Sequence, residues 1–236
     1  MRKDLGQVMV GMDLGQLQDF SAISVLRLME ITQPVTVDDD PNRRNNAFDV
    51  FQEYHLVHLE RFQDSYVGAL DRLEAVLNHP GIMLDQKETI LDASGLGQPV
   101  VEMAWNRQIE VVPMCITGGE TPRYSEGKYY VPRHELISCV ISIFQSERIK
   151  IADELELKQL LIDELSSLTV KKRATGAETY ETAKSTEHDD MVMSLSMPLW
   201  LAQQRNVQQR VTTDARYGAD RSRDFGWNDY GLRGGR

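Results

Sequence analysis

The sequence VMVGMDLGQLQDFSAISVL, residues 8–26, predicts a β-hairpin with an acidic residue at the end of its first arm. Residues 8–12 are apolar without alternation, which is typical of a strand buried on both faces. Residues 15–19 predict a turn, and the apolar run 21–26 returns as the second arm. Asp13 ends the first strand, where a buried charge needs a compensating partner. A divalent cation is one such partner, because carboxylate oxygens are its preferred ligands.

The composition of the whole chain predicts a globular protein. It has 236 residues, of which 41% are hydrophobic, and its net charge of −10 argues against a broad basic surface for nucleic acid, although not against a local one. Cys115 and Cys139 match no metal-ligand spacing and no disulfide framework, which favours a reducing compartment. The sequence has neither a signal-peptide core nor an apolar run near ~18 residues. We therefore expect a soluble, intracellular protein without a membrane partner.

The rest of the chain alternates between strand and helix patterns. A polar, turn-rich segment at 38–46 precedes the third strand. After that strand, the apolar residues change to helical spacing. The expected elements are a strand at 48–59, a helix at 66–77, a strand at 88–92, a helix from Pro99 through Trp105, a strand at 109–114, a hairpin at 124–131, a helix from Pro132, an acidic helix at 153–165, a hairpin at 168–183 and a last helix with an apolar body at 191–202.

Two domains of unequal size follow from this pattern. Residues 1–204 carry all the core-forming elements, whereas residues 205–236 are polar and predict a flexible C-terminal tail. The charges of the acidic helix at 153–165 are expected to form a solvated face.

Topology places two aspartates at one edge of the predicted sheet. A right-handed crossover through the helix at 66–77 lays the fourth strand parallel to the first. Asp13 and Asp92 then both end parallel strands, which lie about 4.8 Å apart when they are neighbours. Ligand sites in open α/β sheets lie at this edge. The two carboxylates are therefore candidates to share a cation.

A second acidic element begins the last helix, at Asp189 and Asp190. Acids in a first turn often only complement the helix dipole. Here the apolar helix body is expected to pack on the sheet and bring the pair towards the strand ends. Such a carboxylate cluster suits Mg²⁺ or Mn²⁺, and two ions about 4 Å apart would serve phosphodiester hydrolysis. Asp19, across the first turn, is a candidate ligand of the second ion, although it equally suits a turn.

Basic residues near the last helix are candidate DNA contacts. Lys171, Lys172 and Arg173 lie in the predicted hairpin and would meet phosphates, and His188 would orient a carboxylate or a phosphate. Ordinary surface lysines and a capping histidine explain the same pattern.

At three places the chain resembles the nuclease domain of a phage terminase large subunit. The matching segments are VGMDLGQLQDFSAISVL at 10–26, LDASGLGQPVVEMA at 91–104 and HDDMVMSLSMPLWLA at 188–202, with VPRHELISCVISIFQSERIKIA between them at 131–152. The resemblance implies a ribonuclease H-like α/β fold, in which an antiparallel three-strand meander and parallel strands form a mixed central sheet flanked by helices. By match, Asp13, Asp92, Asp189 and Asp190 inherit the metal-ligand role, and Asp19 is a further candidate.

The resemblance also implies a biological setting. Such a nuclease cuts double-stranded viral DNA during packaging, in the cytoplasm of the infected host, with Mg²⁺ or Mn²⁺. Its expected partners are DNA, the portal, the small terminase subunit and a packaging ATPase domain. The phosphate-loop pattern G-x-x-x-x-G-K-[ST] does not occur in this sequence. We therefore expect an isolated nuclease domain, natural or excised, rather than a motor.

Three other functions are compatible with parts of this pattern. A Holliday-junction resolvase, or another ribonuclease H-like nuclease, would differ in substrate preference. An actin-like or sugar-kinase-like ATPase also has an Asp-x-Gly turn after a strand, but it needs a second related lobe. A non-catalytic DNA-packaging assembly module would have no use for the clustered acids, so metal titration would separate it from a nuclease.

Overall fold

The predicted hairpin is present, and both of its arms are longer than predicted. The computed structural model describes residues 1–15, 19–34, 48–95, 97–172, 178–182 and 189–217, with backbone alone at 48, 169–172, 178–182 and 207–217. The elements are β1 (Arg2–Asp13), β2 (Ser21–Pro34), β3 (Phe48–Phe62), α1 (Tyr66–Leu77), β4 (Gln86–Asp92), α2 (Gly97–Asn106), β5 (Val112–Thr117), β6 (Arg123–Ser125), β7 (Lys128–Pro132), α3 (Arg133–Gln145), β8 (Ile149–Ile151), α4 (Lys158–Ser167), β9 (Leu168–Lys172), β10 (Glu178–Thr182) and α5 (Asp190–Tyr217).

The central sheet has eight strands in the order β6-β7-β5-β4-β1-β2-β3-β8. Strands β1, β2 and β3 form an antiparallel meander, and β4 lies parallel to β1 with Met12 opposite Leu91. Strands β5 and β7 continue the parallel part. The predicted mixed α/β sheet, with its crossover from the meander to a parallel strand, is therefore confirmed.

Two apolar cores cover the two faces of this sheet. Met9 faces the core that contains α3, α4 and α5, whereas Val8, Val10 and Met12 face the core that contains α1 and α2. Residues 8–12 are all buried, as expected for a central strand without polar alternation.

Several boundaries differ from the sequence prediction. Helix α4 begins at Lys158 rather than at residue 153, because residues 153–157 form turns. Strand β5 begins at Val112 rather than at residue 109. Strand β8 was not predicted, since its three residues are too few to show a period; it pairs with β3 at the edge of the sheet. The polar segment at 38–46 lies outside the described residues.

The end of the chain is described only in part. The larger compact unit spans Met1–Ala202. Of the second unit, which begins at Gln203, the structure describes helical backbone through Tyr217. The helix thus passes the boundary predicted at residue 204, while the flexibility of residues 205–236 stays a prediction. Within the described ranges, no helix combines the length and the apolar content that crossing a bilayer requires.

Helix α5 contacts the sheet through its backbone. A methyl group on Gly11 would overlap the carbonyl oxygen of Ser194 and lie 2.6 Å from Cδ of Pro198, so only glycine allows this approach. Pro198 lacks an N–H and leaves the carbonyl of Ser194, one turn earlier, without its helical donor. The hydroxyl of Ser24, which lies opposite Gly11 on β2, donates to that oxygen at 2.8 Å. The sheet therefore satisfies the carbonyl that the proline leaves unpaired.

Replacing Gly11 should destabilise the protein. Gly11→Ala inserts a methyl group where two backbones meet, and overpacking of this kind costs about 1–3 kcal/mol. Urea unfolding should show the lower free energy of unfolding. The matched control is Gly118→Ala, because a methyl group there meets no heavy atom within 4 Å. Equal losses in the two variants would contradict close packing at Gly11.

Candidate metal centre

Asp13 and Asp92 lie side by side at the carboxyl edge of the sheet. The register of β1 and β4 pairs Met12 with Leu91, so the next residue of each strand is one of the two aspartates. A side-chain hydrogen bond joins the two carboxyl groups. The backbone N–H of Ser94 donates to Asp92 Oδ1 at 2.8 Å and fixes that side chain in the turn after β4.

The two carboxyl groups perturb each other's protonation. The pKa of Asp13 lies well above its usual value, first because of burial and then because of the charges of Asp92 and Asp190, while Arg133 acts in the opposite direction. Burial also raises the pKa of Asp92, but hydrogen bonds from Ser94 and from Asp13 oppose the increase. Burial and the neighbouring carboxylates therefore make the ionised form of Asp13 unfavourable.

The contact between α5 and β1 accounts for the position of Asp190. Asp190 precedes Ser194 by one helical turn, about 6 Å along the axis. Asp13 follows Gly11 by two residues on the same face of β1, about 6.6 Å along the strand. Since Ser194 lies on Gly11, Asp190 lies near Asp13, close enough for its charge to raise the pKa of Asp13.

The two acids that begin α5 have different partners. Asp190 Oδ2 accepts a hydrogen bond from Arg61 Nη2 at 3.2 Å, and both side chains are largely buried. Asp189 forms an ion pair with Arg133, the first residue of α3. Its carbonyl oxygen accepts from the N–H of Met193 at 2.8 Å, so its backbone starts the helix. The structure therefore brings the charge of Asp190 close to Asp13, and it pairs Asp189 with Arg133, whose charge also acts on Asp13.

Three residues around these acids were missed by the sequence analysis. Arg61 lies just past the predicted end of a strand. Arg133 lies at the start of a helix, in the matching segment at 131–152, but the sequence analysis gave it no role in the site. For Glu164 the predicted solvated face is wrong, since this residue is only 6% exposed. Burial raises its pKa to about 7, and its Oε2 accepts from the N–H of Val192 at 3.3 Å. Its position three residues after the buried Leu161, on the same helix face, was the signal available in the sequence.

The other predicted site residues lie in the first turn, in a second sheet, or outside the described residues. Asp19 is exposed, and its backbone carbonyl lies close to Gly15. The backbone of Lys171 and Lys172 lies in β9, paired with β10 in a separate two-stranded sheet as the predicted hairpin requires. Arg173 and His188 lie outside the described residues.

The chemistry of Asp13, Asp92 and Asp190 fits a hard divalent cation. Their donors are carboxylate oxygens, and the raised pKa of Asp13 shows that its negative charge lacks sufficient compensation. In the described part of the chain, no three histidine, cysteine or acidic side chains are arranged to hold an ion as they stand. Asp189 and Asp190 are instead engaged by Arg133 and Arg61. A cation would therefore have to draw at least one carboxylate from its present position.

Neutralising Asp13 should stabilise the protein when divalent cations are absent. A carboxyl whose pKa is raised on folding favours the folded state at pH below its unfolded value of 3.8, and this contribution is lost as the pH rises through the folded pKa. In EDTA, Asp13→Asn should therefore have the higher free energy of unfolding at neutral pH, and the gain should disappear in acid.

Urea unfolding at a series of pH values measures this difference. Asp153→Asn is the control, because Asp153 is exposed and pairs with Lys158. A destabilised Asp13→Asn at neutral pH would contradict the charge crowding inferred at this edge.

Comparison with known proteins supports the fold of this chain. The chain matches no protein-family model and no curated protein. It is similar in structure to the large terminase nuclease of thermophilic phage G20c with bound magnesium, at TM-score 0.54 and 20% identity over 84% of this chain and 86% of that one. The same nuclease with bound cobalt gives the same values. The large terminase nuclease domain of Thermus phage P74-26 gives a TM-score of 0.52 and 20% identity, over 81% of this chain and 77% of the other. The predicted resemblance to terminase nuclease domains is thus confirmed as a likeness of fold.

Proposed function

We propose that this chain is a metal-dependent endonuclease that cuts double-stranded viral DNA during genome packaging, as the nuclease domain of a terminase large subunit does. The observation that carries the proposal is the meeting of Asp13, Asp92 and Asp190 at one edge of the sheet. The large terminase nuclease of phage G20c, which has a similar fold, was solved with bound magnesium and with bound cobalt, and this supports a divalent cation in the present chain.

In the proposed site, Asp13, Asp92 and Asp190 hold Mg²⁺ or Mn²⁺, and Asp19 is the candidate for a second ion. Such ions stabilise the charge that develops on a phosphodiester during hydrolysis and activate the attacking water. Asp13 must be ionised to act as a ligand, and the neighbouring Arg133 favours that ionisation. The hydrogen bond from Ser94 keeps Asp92 in place for the same task.

Between the two adjacent acids, we assign the ligand role to Asp190. Its charge acts on Asp13, whereas Asp189 pairs with Arg133 at the start of α3. Asp189 then has a supporting role, because it neutralises and orients Arg133 beside the carboxylates. The sequence alone leaves these two residues equivalent.

The proposal includes the partners expected of a packaging nuclease. Double-stranded DNA is the substrate, and Lys171, Lys172, Arg173 and His188 are proposed to contact its phosphates. The portal, the small terminase subunit and a packaging ATPase domain are the proposed protein partners, in the cytoplasm of the infected host. A few local basic contacts suit a chain whose net charge is −10.

Cleavage of supercoiled plasmid tests the activity directly. The chain should nick and linearise plasmid in Mn²⁺ or Mg²⁺, and EDTA should stop the reaction. Asp13→Asn, Asp92→Asn and Asp190→Asn should each abolish cleavage, because each removes a proposed ligand, while Asp189→Asn should retain measurable cleavage.

Asp153→Asn is the matched control and should cut at the normal rate, since Asp153 is exposed and lies outside the site. Equal cutting in EDTA, or normal cutting by Asp13→Asn, would refute the mechanism.

The C-terminal segment is proposed to bind a packaging partner. Residues 205–236 contain seven arginines and four aspartates, with Phe225, Trp227 and Tyr230 among glycines. Truncation after Gln204 should leave plasmid cleavage largely intact, because every proposed ligand precedes it, and should weaken binding to a portal. Pull-down with the portal and plasmid cleavage measure the two effects separately. Loss of cleavage by a truncated but folded protein would show that this segment contributes to the active site.

A further inference from the structure

Arg61 connects the candidate ligand Asp190 to the interior of the protein. It lies on β3 opposite Ala22 of β2, on the face of the sheet that α5 covers. Its guanidinium lies 4.1 Å from the centre of the Phe20 ring, and Nη2 donates to Asp190 Oδ2 at 3.2 Å. Stacking on the ring limits the freedom of the guanidinium, so its hydrogen bond to Asp190 has a defined direction.

Glu164 extends this contact to the backbone of α5. Its Oε1 lies 4.0 Å from Arg61 Nη1, and its Oε2 accepts from the N–H of Val192 in the first turn of the helix. The side chain reaches this turn from α4, a separate element. One buried carboxylate therefore attracts the arginine that contacts Asp190 and also holds the helix turn that carries Asp190.

From these contacts we infer that Arg61 and Glu164 are positioning residues for Asp190, which they hold beside Asp13 as a metal ligand. The inference rests on the proposed function, since it assigns Asp190 to the metal. Arg61 engages one carboxylate oxygen, and Glu164 anchors the backbone two residues further along. Residues that orient metal ligands in this way typically account for about 10–100-fold in metal affinity or activity.

The change in Mn²⁺ affinity when Arg61 is removed distinguishes a positioning role from competition with the metal. A guanidinium that merely competed with the metal for Asp190 would weaken metal binding, so its removal would tighten it. A guanidinium that positions Asp190 strengthens metal binding, so its removal weakens it. Burial of the Arg61 side chain, which is 13% exposed, favours a fixed partner over a displaceable one.

Isothermal titration calorimetry of the full chain with Mn²⁺ alone tests the inference without DNA. Arg61→Gln should raise the Kd for Mn²⁺ by about tenfold or more. Glu164→Leu, which fills a similar volume but removes the acceptor for Val192, should weaken binding in the same direction. Glu164→Gln, which keeps an acceptor oxygen, should bind more tightly than Glu164→Leu.

Arg72→Gln is the matched control. Arg72 also lies on an aromatic ring, 4.7 Å from the centre of Phe62, and it pairs with Glu60 and Asp64 away from the candidate ligands. Its loss should leave the Kd for Mn²⁺ unchanged. Urea unfolding of each variant shows that the titrated protein is folded, since a purely structural role would lower stability without changing the Mn²⁺ affinity of the folded protein.

Two failures are distinguishable in this experiment. An unaltered chain that binds no Mn²⁺ would overturn the proposed function, and this inference with it. An unaltered chain that binds Mn²⁺, together with unchanged or tighter binding in Arg61→Gln and Glu164→Leu, would overturn the positioning role alone. If Arg61→Gln does not fold, the two Glu164 variants decide the question by the same criterion.

Discussion

The contact between the backbones of α5 and β1 determines where the candidate site of this protein lies. Gly11 admits the carbonyl of Ser194 against the strand, and Ser24 donates to that carbonyl because Pro198 leaves it without a helical partner. A side chain at Gly11 would push the helix away from the sheet. Since Asp190 is one turn from Ser194, such a shift would separate it from Asp13. The packing of a glycine and a proline thus sets the geometry of an acidic cluster that neither residue belongs to.

The electrostatics of the site follow from this packing. Burial and the nearby charges of Asp92 and Asp190 make the charge of Asp13 unfavourable, and its hydrogen bond to Asp92 raises its pKa further. Two arginines from different elements neutralise the acids of α5, Arg61 from β3 and Arg133 from α3. Burying like charges in this way would weaken a purely structural edge of a sheet. Carboxyl groups with perturbed pKa values that cluster in this way are typical of functional sites.

The parts of the fold with a strong local pattern were predicted well. The apolar run at 8–12 indicated a central strand, the period of the segment at 66–77 indicated a helix, and chain connectivity placed Asp92 beside Asp13. Strand β8, which pairs with β3, was missed because three residues are too few to show the alternating apolar pattern of a strand. Glu164 was assigned to solvent because a charged residue in an acidic helix usually lies there, and its burial depends on the approach of α5.

The sequence by itself determined the order of the elements, the ends of the strands that carry Asp13 and Asp92, and the apolar helix that follows Asp190. Each of these depends on neighbours in the chain, through hydrophobic periodicity and the handedness of the crossover. Only the tertiary structure decided that the charge of Asp190 acts on Asp13, and that Arg61 and Arg133 pair with the two acids separately. The physical reason is that the side chains of adjacent residues in the first turn of a helix point in different directions. Which of them meets the sheet depends on the rotation of the helix about its axis, which the contact of Ser194 with Gly11 sets from a distant part of the chain.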